Sequence, residues 1–236
     1  MKIVNFDKNP VFFCTLYLAL FLISFLALYL VPVFGIIATS SSKEESEMEK
    51  KQKISTRKIV FVALMAALIV AGSALRITLP IDIAGTTSFH LGNIMCALSG
   101  LLLGPWLGGL ASGLGSAIYD MTNPLYISEC WITFLTKGAY GLATGLVVWK
   151  AKGKWSYGKA TLATVAGAVT YAVLYLAKSY FYNGLLLKGL APAAALTTIV
   201  AKLPATTFNA VIAIVIAPFL AVNIRAALEH NHLTLE

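Results

Sequence analysis

Long apolar runs alternate with short polar breaks along the chain, and the breaks delimit the elements. The first run, Val11–Ala38, is long enough to cross a hydrocarbon core of about 30 Å, which takes roughly 20 apolar residues as a helix. The stretch Ser40–Lys58, rich in Glu, Lys and Ser, follows as a solvated linker. Apolar residues dominate again from Ile59 to about Ala227, and turn signals cut this region into six spans. They are predicted near Ile59–Leu75, Phe89–Gly104, Trp106–Met121, Cys130–Trp149, Ala160–Ala177 and Ala193–Val222. Gly104–Pro105 predicts a tight turn between the second and third, because proline cannot continue a helix. The expected fold is therefore an all-α integral membrane protein, a six-helix transmembrane core plus one extra N-terminal transmembrane helix. Residues 1–38 hold the extra helix, 39–57 a charged cytoplasmic linker, 58–227 the core and 228–236 a cytoplasmic tail.

Composition narrows the class. Of 236 residues 58% are hydrophobic and 12% charged, against about half and a quarter in soluble domains. That excludes a soluble enzyme, a disordered chain and a collagen-like fibre. The net charge of +8 does not point to nucleic acid, because the basic residues are few and grouped as a membrane protein groups them. The three cysteines, Cys14, Cys96 and Cys130, give neither a disulfide framework nor a metal-ligand spacing. His230 and His232 have no carboxylate or thiol partners nearby in the sequence, so no metal site is expected there.

The basic groups also set sidedness. Six lie in Ser40–Lys58, four more are Lys150, Lys152, Lys154 and Lys159, and Arg225 follows the last span. One topology places all eleven in the cytoplasm, with the C-terminus inside and the loops Arg76–Ser88, Thr122–Glu129 and Lys178–Pro192 outside. The chain is expected to be a multi-pass protein of the cell membrane. Val11–Ala38 is too long for a signal-peptide core and Ala38-Thr39-Ser40 is a poor cleavage site, so an uncleaved helix is expected.

Charges inside a span are costly, by insertion scales about 2.5–3.5 kcal/mol each at a helix centre, so their positions are informative. In this topology Arg76, His90, Asp120, Glu129, Lys137, Lys178 and Lys202 all fall in the outward half or at the outer edge of a span. Helical spacing aligns Thr133, Lys137 and Tyr140 on the fourth span, and Tyr171, Tyr175 and Lys178 on the fifth. On the sixth, Thr198, Lys202, Thr206 and Asn209 form a polar stripe beside Pro204. These faces predict an outward pocket of polar and aromatic walls, with Tyr126 and Trp131 at its mouth. A plainer reading stands beside it: Arg76, Glu129 and Lys178 near span ends snorkel to water, and the aromatics form an interfacial belt. Lys137 and Lys202 are too deep for that, and Asp120 is a ready salt-bridge partner for either.

Two motifs mislead. Gly153–Ala160 nearly fits the phosphate-loop pattern, but a transmembrane helix precedes it and Ala160 replaces the hydroxyl residue. Ser116 and His90 have no motif linking them as nucleophile and base. No enzymatic activity is expected of the chain.

Ala63, Ala67 and Ala71 recur every four residues on the first core span, and Gly109 and Gly113 on the third. Small faces let helix backbones approach closely in lipid. The glycine pair suits packing within the chain, whereas the alanine face starts beside the basic linker, where a partner can dock. The basic residues leading into that alanine span, the stretch His90-Leu-Gly-Asn93, the Gly-rich LSGLLLGPWLGGLASGLGSAIYDMTNP (Leu98–Pro124) and the spacing of the spans together resemble the substrate-binding S components of energy-coupling factor (ECF) transporters. The resemblance covers roughly Lys58–Ala226 and departs from the family's six-span pattern in the first helix and linker.

The resemblance implies a substrate-specific binding subunit of an ATP-driven importer for a vitamin or related micronutrient. It would work without a cofactor of its own, together with a membrane coupling subunit and two cytoplasmic ATPases. Asn93, Asp120, Lys137, Tyr140, Tyr175, Lys178, Lys202 and Asn209 are expected to line the pocket, and Ala63, Ala67 and Ala71 to dock the coupling subunit. Lysine donors and tyrosine faces suit a small heteroaromatic molecule with carbonyl or carboxylate acceptors. The alternative is a stand-alone secondary transporter of a small organic solute, which predicts inverted repeats and a midplane ion site. Neither is visible in the sequence.

Overall fold

The computed structural model describes residues 56–81, 85–149 and 156–231. The expected N-terminal helix, most of the charged linker, the basic loop at 150–155 with the start of the phosphate-loop-like stretch, and residues 232–236 lie outside the described residues. The protein is mostly helical, as an apolar chain must be when its backbone groups find no water to bond.

Helix α1 (Thr56–Ala74) buries Met65, Ile69, Gly72 and Ser73, residues at helical spacing on one face. Ala63, Ala67 and Ala71 lie exposed. The next segment adds a short hairpin to the helical architecture. Instead of a plain loop, Arg76–Ser88 belongs to an antiparallel hairpin of β1 (Arg76–Ile81) and β2 (Gly85–His90), in register from Arg76↔His90 to Ile81↔Gly85. Ile, Thr and Phe in RITLPI and GTTSFH favour extended backbone, and Pro80 is tolerated because each strand of a two-stranded sheet is an edge.

Helix α2 (Gly92–Thr122) contains the third expected span and the second from Gly92 onward, whereas Phe89 and His90, expected to open the second span, belong to β2. Gly104 breaks it with φ 76°, a left-handed conformation that only glycine adopts without strain, and Pro105 restarts the helix. The chain reverses there, since Cys96 meets Ser116 at 3.6 Å, Ser99 meets Ser112 at 2.8 Å, and the Ser99 hydroxyl donates to the Gly108 carbonyl at 3.0 Å. The limb before the turn, residues 92–103, rises only about 18 Å, too little to cross a 30 Å core.

A short 3₁₀ turn (Ile127–Glu129) leads into α3 (Cys130–Trp149), which coincides with the fourth expected span. Helix α4 (Tyr157–Lys178) continues as a π-helical segment (Ser179–Leu187) that the sequence did not announce. Helix α5 (Pro192–His230) outruns the expected end at Val222, because Arg225 and Glu229 pair at 2.9 Å one turn apart and carry the helix beyond its apolar stretch.

Among the described residues, α1, α4 with its π segment, and α5 are long and apolar enough to cross a membrane, and so is Gly92–Thr122 taken end to end, although α2 folds back at Gly104. Helix α3 is not in that set; Lys137 and its glycines, threonines and tyrosine lower its hydropathy, and more than half of its residues are buried in the bundle. Gly109 and Gly113 of α2 face α3: a Cβ on them would stand 3.1 Å from the Gly138 carbonyl oxygen and 2.9 Å from that of Phe134. The glycine face thus packs within the chain. A core of Ile69, Cys96, Leu101, Tyr140, Ala163 and Ala213 joins five helices.

Candidate binding cavity

The hairpin, α2, α3, α4 with its π segment, and α5 surround one cavity of about 290 Å³ at the end of the bundle where Ser73 and Arg76 lie. This is near the lower limit of small-molecule sites. Arg76, His90, Asp120, Glu129, Lys137, Lys178 and Lys202, scattered over the sequence, all line it.

Each is positioned by its element. Arg76 begins β1, where its Nε donates to the Ser73 carbonyl at 2.8 Å and its guanidinium lies 4.2 and 4.7 Å from the Tyr119 and Tyr126 ring centres. Lys137, 5% exposed on α3, donates from Nζ to Asn93 Oδ1 and sits 3.9 Å from the Tyr171 ring centre. Lys178 pairs with Glu129 at 2.6 Å. Lys202, 3% exposed on α5, lies 5.4 Å from the Tyr175 ring centre and has no carboxylate within 4.0 Å among the described residues. Asp120 on α2 and Thr133 on α3 line the same cavity.

Aromatic stacking continues the wall inward. Tyr175 stacks on Tyr171 at 5.6 Å and Tyr171 on Tyr140 at 5.7 Å, each one helical turn or one helix apart. The hairpin closes one side. Its backbone is held to α5 by Asn209, whose Oδ1 accepts from the His90 amide at 3.1 Å and whose Nδ2 donates to the Ser88 carbonyl at 2.8 Å. Phe89 and Phe208 meet edge to face at 4.9 Å beside this clamp. Burial, then the charges of Lys137 and Arg76, hold the His90 imidazole well below its ordinary pKa, so it is neutral near pH 7.

Of the eight residues expected to line the pocket, Asp120, Lys137, Tyr175, Lys178, Lys202 and Asn209 reach the cavity wall. Asn93 and Tyr140 do not: Asn93 stands behind Lys137 as its acceptor, and Tyr140 is fully buried behind Tyr171. Trp131, expected at the mouth, packs edge to face on Tyr182 instead. Sequence reasoning missed Ser73, Thr87 and Ser88 from the hairpin region and Asn183, Leu187 and Lys188 from the π segment and its end. Ser116 also lines the cavity, and its hydroxyl faces the Cys96 thiol rather than His90.

The arrangement can desolvate a flat ring against tyrosine faces and offer it charged donors. It holds more cations than carboxylates. Comparison with known proteins agrees with a binding role. Residues 53–226 match the family model described as "ECF-type riboflavin transporter, S component". A Pyrococcus woesei protein described as "Uncharacterized protein in gap 3'region" is 34% identical over 118 residues, 50% of this chain and 74% of that protein.

Proposed function

Because the chain belongs to the family of S components of ECF-type riboflavin transporters, we propose that it captures riboflavin, or a closely similar flat micronutrient, outside the cell and hands it to an ATP-driven coupling module. The observation that carries this reading is the convergence of eight charged or imidazole side chains and two stacked tyrosines on one cavity of a membrane-embedded bundle. A generic bundle has no reason to bring so many costly groups to one end. Riboflavin supplies what such walls use: an apolar ring system for Tyr171 and Tyr175, and ring carbonyls that accept from Lys137. Asn93 and Tyr140 support the reading from behind, by holding the Lys137 ammonium and the Tyr171 ring in place.

The test is a riboflavin titration of the detergent-purified protein, followed by thermal unfolding, since a ligand of the native state raises stability by mass action. Riboflavin should raise the unfolding temperature in a concentration-dependent way. Lys137→Met should weaken binding by about 1.5–3 kcal/mol, the scale of a hydrogen bond to a charged group, while the protein still folds. Absence of any shift would overturn the riboflavin reading. Unchanged binding by Lys137→Met would make Lys137 a structural partner of Asn93.

The cavity, in this reading, opens outward, and the loop before α4 and the C-terminal end lie in the cytoplasm. The distribution of Lys and Arg supports this. In a background without the native cysteines, Leu125→Cys, at the exposed cavity edge, should react with an impermeant thiol reagent on intact cells. Ser156→Cys and His232→Cys should not react until the cells are opened. The reverse pattern would invert the topology.

A further inference from the structure

The wall that α4 gives the cavity changes its spacing where the helix changes its winding. Tyr171, Tyr175 and Lys178, four and three residues apart, line the cavity from the α-helical part, as α spacing requires. Past Ser179, where the π segment begins, the next lining residues are Asn183 and Leu187, five and four residues further on. Hydrogen bonds from i to i+5 bring residues four and five apart onto one face, so the π winding carries the Lys178 face on to Asn183. A continued α winding would set Asn183 about 140° and Leu187 about 180° round the axis from Lys178. Tyr182 and Leu185 would then take their places. Instead, Tyr182 packs edge to face on Trp131 at 5.9 Å.

Contacts with α5 hold this winding. The fully buried Thr198 donates to the Ser179 carbonyl at 3.2 Å, and the Ser179 hydroxyl donates to the Tyr175 carbonyl at 2.9 Å. Gly184 lies so close to α5 that a Cβ on it would stand 3.0 Å from the Ala195 Cβ. The segment closes with the Leu190 amide on the Gly184 carbonyl at 3.0 Å and with Gly189 at φ 60°, a left-handed cap suited to glycine. What the winding delivers is a side-chain amide. Asn183 lines the cavity, and its Oδ1 is buried without a hydrogen-bond partner among the described residues. A buried acceptor left unpaired is costly unless a ligand supplies the donor.

We infer that the π winding sets the specificity of the cavity: it turns Asn183 inward as the acceptor for a hydrogen-bond donor on the ligand, and it keeps Tyr182 and Leu185 out of the wall. Asn183 is thus a specificity-determining residue that its own sequence spacing hides. The inference rests on the flavin reading above only for its binding probe, riboflavin.

Thermal unfolding and riboflavin titration of purified variants test it. Asn183→Leu, close to the parent in size, should lower riboflavin affinity about three- to tenfold, the loss of one hydrogen bond. Asn183→Trp, which fills the cavity only if residue 183 faces it, should lower affinity further. Leu186→Trp, at an exposed position, should leave it within about twofold. Deletion of the exposed Phe181 tests the winding itself. It leaves Asn183 four residues after Lys178, so an ordinary α-helix then carries both to the cavity, and unfolding temperature and affinity should stay close to the parent's. In a segment wound as α, the same deletion would turn everything beyond it by about 100°, pull Gly184 off Ala195 and lower the unfolding temperature by several degrees. Such a drop, or a riboflavin affinity that both Asn183 variants leave unchanged, would overturn the inference and leave the flavin reading intact. A parent protein that binds no riboflavin would overturn the flavin reading, and the unfolding of the Phe181 deletion would still decide the winding.

Discussion

Gly141→Leu is expected to abolish ligand binding and to cost about 3 kcal/mol or more, the upper end of overpacking penalties. Gly141 of α3 is in close contact with both limbs of α2. A Cβ on it would stand 2.6 Å from the Gly108 carbonyl oxygen and overlap the Ser112 hydroxyl, while a Cβ on Gly100 would come 2.5 Å from the Gly141 carbonyl oxygen. These neighbours are mostly backbone, so no rotamer change relieves the clash; the helices must separate. Ser112 is also tied to Ser99 and to the Cys96 carbonyl, so its displacement opens the α2 turn as well. Asp120 on α2 and Lys137 on α3 share the cavity, and separation of their helices moves the two walls apart. Gly158→Ala is the control, since the nearest atom to a Cβ there is the Ser156 hydroxyl at 4.0 Å. Thermal unfolding and riboflavin titration of both variants check this, and a Gly141→Leu protein that melts and binds like the parent refutes the close-contact account.

That seam was half visible in the sequence. Glycines at four-residue spacing announce a close helix approach, and Gly104–Pro105 announces a reversal, because both signals are local. Apolar runs placed α1 and α3 to within a few residues for the same reason. Hydropathy marks where the chain is dry, however, and not where its hydrogen-bond ladder ends, so α5 continues past Val222 through Arg225 and Glu229. The hairpin escaped because a short polar segment between spans reads as a loop, and the side chain that ties it to the bundle, Asn209, lies some 120 residues away. Nothing in SYFYNGLLL distinguishes π from α hydrogen bonding.

The cavity walls were legible where membrane burial makes a residue expensive. Arg76, His90, Asp120, Glu129, Lys137, Lys178 and Lys202 stand out for that cost alone, and all seven meet at one cavity. The hydroxyls of Thr87 and Ser88 and the side chain of Asn183 carry no such cost in a polar connection, so they gave no signal. Tyr140 shows the limit of helical spacing as a guide. It shares the Lys137 face one turn along, yet that turn lies below the cavity floor, where Tyr171 covers it.

Ala63→Leu combined with Ala67→Leu is expected to bring uptake to background while ligand binding stays within the roughly ±0.5 kcal/mol of ordinary surface changes. Helix α1 spends its buried face on Met65, Ile69, Gly72 and Ser73, and leaves the alanines exposed. A face of methyl groups at four-residue spacing allows a partner helix to approach backbone to backbone, which two leucines would prevent. The proposed occupant is the coupling subunit of the transporter. Ala71 is left unchanged because it adjoins Gly72 and Ser73, and Ser73 lines the cavity. Ala63 is ten residues from Ser73, about 15 Å along the helix, so its substitution leaves the cavity walls in place. Uptake by cells expressing the coupling module, riboflavin titration of the purified variant, and recovery of the ATPases with the tagged protein separate the outcomes. Loss of uptake and of ATPase recovery with binding retained identifies the docking face; parallel loss of binding would mean that the alanines serve the fold itself.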